Sequence, residues 1–147
     1  MAEIHTFGRR MAFRGILADQ HLFNEINVLE RVDYFKKEMK DDTRQTFVYE
    51  KDNVVLGFAT IQPCDETCLE ILRIYVDPAM QNSGIGTKML DFCRKTAIKN
   101  THSQICLWVV EQNNAARKFY EAKGFATNGT TRNYKNSAQI KYHQRLM

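Results

Sequence analysis

The chain of 147 residues contains little proline and glycine, with 2 and 7 residues respectively. This scarcity excludes a collagen-like or linker-rich chain. No apolar run approaches the roughly 20 residues that a membrane-spanning helix requires. The opening Met1–Gln20 interrupts its apolar residues with Arg9, Arg10 and Arg14, so we do not expect a secretory signal. With 44% hydrophobic residues, the composition instead predicts one globular domain around a single core.

Charge of one sign is also scarce, because 21 lysines and arginines oppose 17 acidic residues for a net charge of +4. The densest basic group, Lys36, Lys37 and Lys40, is interrupted by Glu38. This pattern is typical of a solvated helix face and falls short of a nucleic-acid-binding surface. We therefore expect neither nucleic acid nor membrane as a partner, although the mild positive balance would favour an anionic ligand.

The four cysteines do not follow a recognised ligand pattern. Cys64 and Cys68 are separated by three residues rather than the two of a paired zinc motif, and no histidine pair completes a ligand set. Cys93 and Cys106 lie in apolar patterns and are predicted to be small core residues. We expect no metal site and no catalytic cysteine. Without a secretory signal, a reducing, cytoplasmic location is the natural expectation.

Hydrophobic periodicity divides the chain into helices and strands. It predicts a short strand over Ala2–Phe7 and helices within Met11–Phe23, over Asn27–Lys40, from Gly84 onward and over Asn114–Lys123. Runs of β-branched and aromatic residues predict six further strands, at Thr46–Glu50, Val54–Ile61, Cys68–Val76, Ile105–Val110, Phe125–Thr127 and Gln139–Leu146. This order predicts an α/β domain in three layers, with a central, mostly antiparallel mixed sheet flanked by helices.

The segment Val76–Lys88 is the most informative, because a strand ends there, a loop with two glycines follows and a long helix begins. Such a loop directs several free backbone N–H groups at one point, which suits a phosphate. A dinucleotide fingerprint is excluded because Met89 stands at its third glycine position, and a P-loop because Gly84 and Gly86 are too close together. An ordinary helix start with two turn glycines remains the alternative.

Gln81, Gly84 and Gly86, in the pattern Q-x-x-G-x-G, resemble the acetyl-CoA pyrophosphate loop of the GNAT superfamily of N-acetyltransferases. The later run from Leu107 to Phe125 is similar to the second motif of that family, whose core is N-x-x-A-x-x-[FL]-Y-E-x-x-G-F. The resemblance implies a GNAT-like fold, with residues 1–147 forming a single acetyltransferase domain. It also implies direct transfer of an acetyl group from acetyl-CoA to a primary amine. Homodimers are common in that family.

The resemblance assigns the cofactor to the loop and to two neighbouring positions. The pantetheine arm would pair with the backbone of Ile74 and Val76 as an added strand, because the arm contains two amides. Asn113 occupies the asparagine position of the second motif, although asparagine is also a common helix cap. The pyrophosphate would lie on the loop itself, at Gln81, Asn82, Ser83, Gly84, Ile85, Gly86 and Thr87.

Tyr120 and Glu70 are the catalytic residues that the resemblance implies. Tyr120 would protonate the leaving CoA thiolate, since a phenol with a pKa of about 10 keeps its proton at neutral pH. Glu70, on the strand before the loop, would accept the proton of the amine directly or through water. The alternatives are a packed aromatic for Tyr120 and an exposed strand glutamate for Glu70.

Two departures from the family pattern affect function. Ser83 stands where an arginine or lysine usually precedes the first glycine, and Lys88 is a candidate to replace that charge. The N-terminus also lacks the usual opening strand, and this segment normally helps to build the acceptor site. A non-catalytic CoA-binding or sensor module is therefore the second hypothesis. Asp65 and Glu66 would suit a cationic acceptor, although acids in a turn are usually only solvated.

Overall fold

The structure, a computed structural model, describes residues 1–146. Its helices are α1 (Ala2–Phe13), α2 (Val28–Glu38), α3 (Ile85–Lys99) and α4 (Asn114–Ala122). Its strands are β1 (Gln45–Lys51), β2 (Val54–Pro63), β3 (Cys68–Val76), β4 (Gln104–Val110), β5 (Ala126–Tyr134) and β6 (Ser137–Arg145). A π-helical turn at Gln20–Glu25 and a 3-10 turn at Pro78–Met80 complete these elements. Among the described residues, no helix has the length and apolar character needed to cross a membrane.

The six strands form one sheet in the order β1-β2-β3-β4-β6-β5. Neighbouring strands are antiparallel except for β3 and β4, which run parallel. Parallel neighbours need a long crossover connection, and here α3 supplies it. The predicted mixed, mostly antiparallel sheet between layers of helices is therefore confirmed.

Two apolar clusters place the helices on opposite faces of the sheet. The larger cluster joins α3 to the sheet through residues such as Leu90 and Cys93, which are fully buried. Phe119 and Tyr120 of α4 pack against the same cluster. On the other face, Phe58 packs against Ile4 and Phe35 of α1 and α2. The sheet is thus covered by α3 and α4 on one side and by α1 and α2 on the other.

The N-terminal predictions were wrong. Residues 2–7 are not a strand, because they belong to α1, and no single helix runs through residues 11–23. Gly15 has φ of 79°, a left-handed conformation that ends the first helical segment before the π-helical turn. The buried face of α1 includes His5, Thr6, Gly8 and Arg9. Because these residues are not hydrophobic, a search for hydrophobic periodicity does not detect the helix.

Gly8 lets α1 approach the sheet closely. A Cβ atom added at Gly8 would lie 2.9 Å from Cδ1 of Tyr75 on β3, which is closer than packed carbons approach. The glycine therefore brings the buried face of α1, with His5 and Arg9, next to the last residues of β3.

The C-terminal hairpin is longer than predicted. β5 extends from Ala126 to Tyr134 rather than ending at residue 127, and a register irregularity separates Thr127 from Thr131. Most of its side chains are exposed and polar, so no hydrophobic pattern marked its length. Lys135 and Asn136, both with positive φ, form the turn into β6.

The parallel pairing of β3 and β4 is short, and this positions the site. It runs from Cys68 opposite Gln104 to Ile71 opposite Leu107, and then stops. At the same point β3 carries one extra residue, Leu72, relative to β2. A bulge of this kind bends a strand and increases its twist. The last five residues of β3 and the last three of β4 are therefore not paired with each other.

Candidate active site

A cleft of about 1120 Å³ lies where β3 and β4 separate. One wall is the end of β3, at 71–76, and the other is the end of β4, at 107–110. The loop before α3, one side of α4, and residues of α1 and α2 complete the lining. The unpaired edge of β3 presents backbone N–H and C=O groups to this cleft, where an amide-containing ligand can hydrogen-bond to them as an added strand.

The loop between β3 and α3 is built by local interactions. The Asp77 carboxylate accepts a hydrogen bond of 2.8 Å from the Ala79 N–H, which stabilises the 3-10 turn. Asn82 and Gly84 then adopt positive φ of 61° and 83°, in the left-handed region that glycine and asparagine tolerate best. These two reversals turn the chain sharply into α3.

The first turn of α3 presents uncapped backbone N–H groups at one end of the cleft. Its N-cap, Gly84, has no side chain to accept a hydrogen bond, and the first turn contains no acidic residue. The first N–H groups of a helix have no partner within the helix, and the helix dipole places partial positive charge there. Ile85, Gly86 and Thr87 all line the cleft, so an anionic group held by these N–H groups would lie inside it.

Asn113 and Tyr120 approach the cleft from α4. The Asn113 carboxamide caps the helix, accepting a hydrogen bond of 3.2 Å from the Ala116 N–H. The Tyr120 ring is held by edge-to-face contacts with Phe119 and Phe125, with centroid distances of 5.1 and 5.6 Å. Desolvation in the wall of the cleft raises the pKa of Tyr120 above its ordinary value, so its phenol stays protonated at neutral pH.

The structure brings most of the predicted site residues together, with two exceptions. Ser83 does not line the cleft, and its hydroxyl donates to the Met80 carbonyl. Glu70 also lies outside the lining, opposite Cys106 in the paired part of β3 and β4. The residues that do line the cleft are Ile74, Val76, Gln81, Asn82, Gly84, Ile85, Gly86, Thr87, Asn113 and Tyr120.

The charges that the sequence suggested for the site lie elsewhere. The Lys88 ammonium is 3.5 Å from the Tyr49 hydroxyl on β1, and Lys88 does not line the cleft. Asp65 and Glu66 are also absent from the lining. Among the residues that the structure describes, Glu25 is the single acidic one in the lining, and the cationic ones are Arg9, Arg31, Arg73, Lys123, Arg132 and Lys135.

Arg9 and Arg31 extend into the cleft from α1 and α2, on the face of the sheet opposite the glycine loop. Within residues 1–146, neither arginine has a carboxylate partner, and each has a buried Nε atom without a hydrogen-bond partner. Arg9 is only 8% exposed, and one of its amino groups donates to the Tyr134 hydroxyl at 2.9 Å. Buried, unpaired donors of this kind are costly unless a ligand accepts from them.

Arg73, in contrast, has its charge balanced. It pairs with the Glu38 carboxylate at 2.9 Å and donates to the Tyr34 hydroxyl at 3.2 Å. This network fixes the end of α2 against β3 and positions the Tyr34 ring. The Arg31 guanidinium lies over the same ring, 4.7 Å from its centroid. Arg31 is therefore oriented by an aromatic contact rather than by an ion pair.

His5 lies among these arginines and is neutral. Burial, with the charges of Arg9, Arg73 and Arg31, lowers the pKa of His5 to about 3. Its ring packs edge-to-face against Phe35 and Tyr75, and its Nδ1 atom is buried without a partner in the described structure. The residues from α1 and α2 were missed by the sequence analysis. The i, i+4 spacing of His5 and Arg9 was the one available signal, and it acquires meaning only once residues 2–13 are known to be helical.

Comparison with known proteins matches this chain to one family. The family model described as Acetyltransferase (GNAT) family matches residues 12–125. A relative from Methanocaldococcus jannaschii, described as an uncharacterized N-acetyltransferase, is 34% identical over 101 residues. That alignment covers 63% of this chain and 43% of the relative, so the chain corresponds to less than half of that protein.

Solved structures share the fold. The PaiA N-acetyltransferase of Thermoplasma acidophilum, in complex with coenzyme A, superposes with a TM-score of 0.78 at 17% identity, covering 98% of this chain and 89% of that one. The ribosomal-protein-S18-alanine N-acetyltransferase of Escherichia coli gives a TM-score of 0.67 at 21% identity, covering 78% and 76%. At these identities the likeness establishes the fold alone.

The neutral His5 makes stability depend on pH. Between pH 6.5 and about pH 3 the unfolded chain binds a proton at His5 that the folded chain does not, so stability falls as the pH falls through this window. The contribution of His5 is about 1.4 kcal/mol per pH unit. Urea unfolding at pH 7 and pH 5 should show a smaller loss for His5→Gln than for the wild type. Equal losses in the two proteins would contradict a neutral buried His5.

Proposed function

Because this chain belongs to the GNAT acetyltransferase family, we propose that it transfers an acetyl group from acetyl-CoA to an amine that also carries an anionic group. The single observation that carries the proposal is the cleft between the separated strands. It has an anion site of helix N–H groups on one side of the sheet and unpaired arginines on the other. The first feature suits the cofactor, and the second suits the acceptor.

Acetyl-CoA would lie along the open edge of β3. Its pyrophosphate fits the N–H groups that follow Gly84, and the two amides of its pantetheine arm match the backbone of Ile74 and Val76. The structurally similar PaiA N-acetyltransferase of Thermoplasma acidophilum was solved in complex with coenzyme A, which supports this choice of cofactor. Ser83 lies outside the cleft lining and its hydroxyl is engaged with Met80, so its side chain takes no part in this arrangement.

Transfer would be direct, from the thioester to the amine nitrogen. The amine attacks the carbonyl carbon, a tetrahedral oxyanion forms, and the C–S bond then breaks to release the CoA thiolate. We propose that Tyr120 protonates this thiolate, because the phenol lines the cleft and retains its proton at neutral pH. Glu70 lies outside the lining, so its proposed role as base requires a water molecule between it and the amine.

The acceptor proposal depends on charge. With Arg73 neutralised by Glu38, five cationic residues against one acidic residue would still repel a polyamine or an aminoglycoside, whereas a carboxylate or phosphate would be attracted. Arg9 and Arg31 offer the unsatisfied donors that such a group would accept. Their positive charge would also lower the pKa of the ammonium of a bound acceptor, which favours the free amine needed for attack.

Gly86→Ala tests the cofactor site separately from the fold. An added Cβ would lie 3.6 Å from Phe119 and 3.8 Å from Val76, so the free protein accommodates it and gains about 0.5 to 1 kcal/mol of helix propensity. The same methyl group would obstruct a phosphate approaching the backbone. We expect unchanged or higher thermal stability and a Kd for acetyl-CoA raised about tenfold or more by calorimetry. Lys95→Ala, on the outer part of α3, is the control, and unaltered affinity of Gly86→Ala would refute the site.

Tyr120→Phe tests the proton donor. The loss of an acid typically lowers turnover about a hundredfold, so we expect kcat to fall by that order while the Kd for acetyl-CoA stays within about twofold. Release of the CoA thiol is the readout, and Tyr49→Phe on β1, outside the cleft, is the matched control. If kcat is retained, Tyr120 is not the acid.

For Glu70→Gln, activity at pH 7 should fall more than activity at pH 9, where more of the amine is already deprotonated.

An acceptor panel tests the charge requirement. Amino acids should be acetylated with higher kcat/KM than their amides, and phosphoethanolamine with higher kcat/KM than ethanolamine. The two pairs distinguish a carboxylate from a phosphate. Arg31→Gln should raise KM for the anionic acceptors about tenfold and leave KM for the uncharged ones within about twofold.

Arg145→Gln, at the exposed end of β6, is the control for this panel. Preference for a polyamine or an aminoglycoside, or equal effects of Arg31→Gln on both acceptor classes, would overturn the acceptor proposal. If the protein binds acetyl-CoA but releases no CoA thiol with any of the amines tested, it would instead be a CoA-binding module.

A further inference from the structure

Three cysteine sulfurs converge at a point outside the cleft. Cys64 lies in the turn after β2, Cys68 begins β3, and Cys106 lies in the middle of β4. Their Sγ atoms all lie within 4.8 Å of one another, and those of Cys64 and Cys106 are 3.7 Å apart. From their spacing in the sequence we expected no metal site. That expectation assigned Cys106 to the core, whereas the parallel pairing of β3 and β4 brings its sulfur beside the other two.

We propose that Cys64, Cys68 and Cys106 bind one thiophilic metal ion of the Zn²⁺ class through their thiolates, with a solvent molecule as the fourth ligand. Zinc binds thiolates at about 2.3 Å, so two sulfurs on a tetrahedral ion lie about 3.8 Å apart. The separation of 3.7 Å between Cys64 and Cys106 already matches this geometry. Soft thiolate ligands select ions of this class.

The turn that carries Cys64 is organised before any ion binds. The Cys64 N–H donates to the Cys68 carbonyl at 3.0 Å, which closes the turn. The Asp65 carboxylate accepts from the N–H groups of Thr67 and Cys68 at 2.7 and 2.8 Å. Both ends of the turn are therefore fixed, and the Cys64 thiol is itself held by donating to the Cys68 carbonyl at 3.2 Å.

The surroundings suit a bound ion. Cys68 and Cys106 are buried, whereas Cys64 is exposed. The ion would therefore have two buried ligands and would be open to solvent on the side of Cys64. Three thiolates and a divalent ion have a net charge of −1, and the nearby Lys141 ammonium opposes it.

Such an ion would connect the turn after β2 to the centre of β4. This is the part of the parallel pair that stays closed before the strands separate at Leu72. Binding to the folded chain alone raises the midpoint of thermal unfolding. The proposal does not depend on acetyl transfer, and its test uses no activity measurement.

The test is titration of the reduced, metal-free protein with Co²⁺, in the presence of a phosphine reductant and without CoA. We expect thiolate-to-cobalt charge-transfer absorption that saturates at one equivalent, and its loss when Zn²⁺ displaces the cobalt. Zn²⁺ should also raise the thermal midpoint. Cys64→Ser, at an exposed turn position where folding is not at risk, should weaken binding about tenfold or more. Cys106→Ala should abolish the charge-transfer signal.

Cys93→Ala is the matched control, because Cys93 is buried within α3 and belongs to the core rather than to the cluster. It should retain the full cobalt signal. Absence of the signal in the reduced wild type, or its persistence unchanged in Cys64→Ser, would overturn the proposal. A protein that binds no metal when reduced, and loses two mass units under mild peroxide, would instead contain a redox-active cysteine pair.

Discussion

The separation of β3 from β4 is the constraint on which the rest of the structure depends. Four residue pairs hold the two strands together, and the bulge at Leu72 then directs β3 away. Backbone groups that would pair inside a continuous sheet are left at an open edge. Since unpaired backbone groups are costly when buried, the cleft must stay accessible to water or be filled by a ligand with its own amides. The position of the cofactor in the proposed function follows from this requirement.

The two sides of the cleft differ in the source of their positive charge. On one side, α3 and its glycine loop supply an anion site from backbone dipoles, which requires no cationic side chain. On the other, α1 and α2 supply guanidinium groups, of which Arg73 is neutralised by Glu38 while Arg9 and Arg31 are not. The arginines and His5 are linked, because burial first, and then the same charges that would attract an anionic acceptor, lower the pKa of the imidazole. Acceptor recognition and pH-dependent stability therefore share one set of residues.

The central part of the fold was predictable because its signals are local. The glycine loop, the apolar face of α3 and the turn at Asp77 depend on residues close together in sequence, and the family resemblance of the loop and of α4 is carried by the same short segments. The N-terminal helix was not predictable in this way, since its buried face carries His5 and Arg9. Their burial is decided by contact with β3, in particular by the space that Gly8 leaves for Tyr75. β5 was similarly underestimated because its exposed polar residues carry no pattern.

The sequence by itself determined the glycine-loop end of the cleft, because backbone N–H groups at a helix start are oriented by the order of neighbouring residues. Tertiary structure alone decided what surrounds the other end. It placed Tyr120 in the cleft lining and Glu70 outside it, and it excluded Asp65 from the cleft while bringing Cys64 and Cys68 to Cys106. For Glu70 and the cysteines the physical reason is the same. Strand order and register determine which side chains are neighbours across a sheet. The spacing of residues along one strand reveals neither the order nor the register.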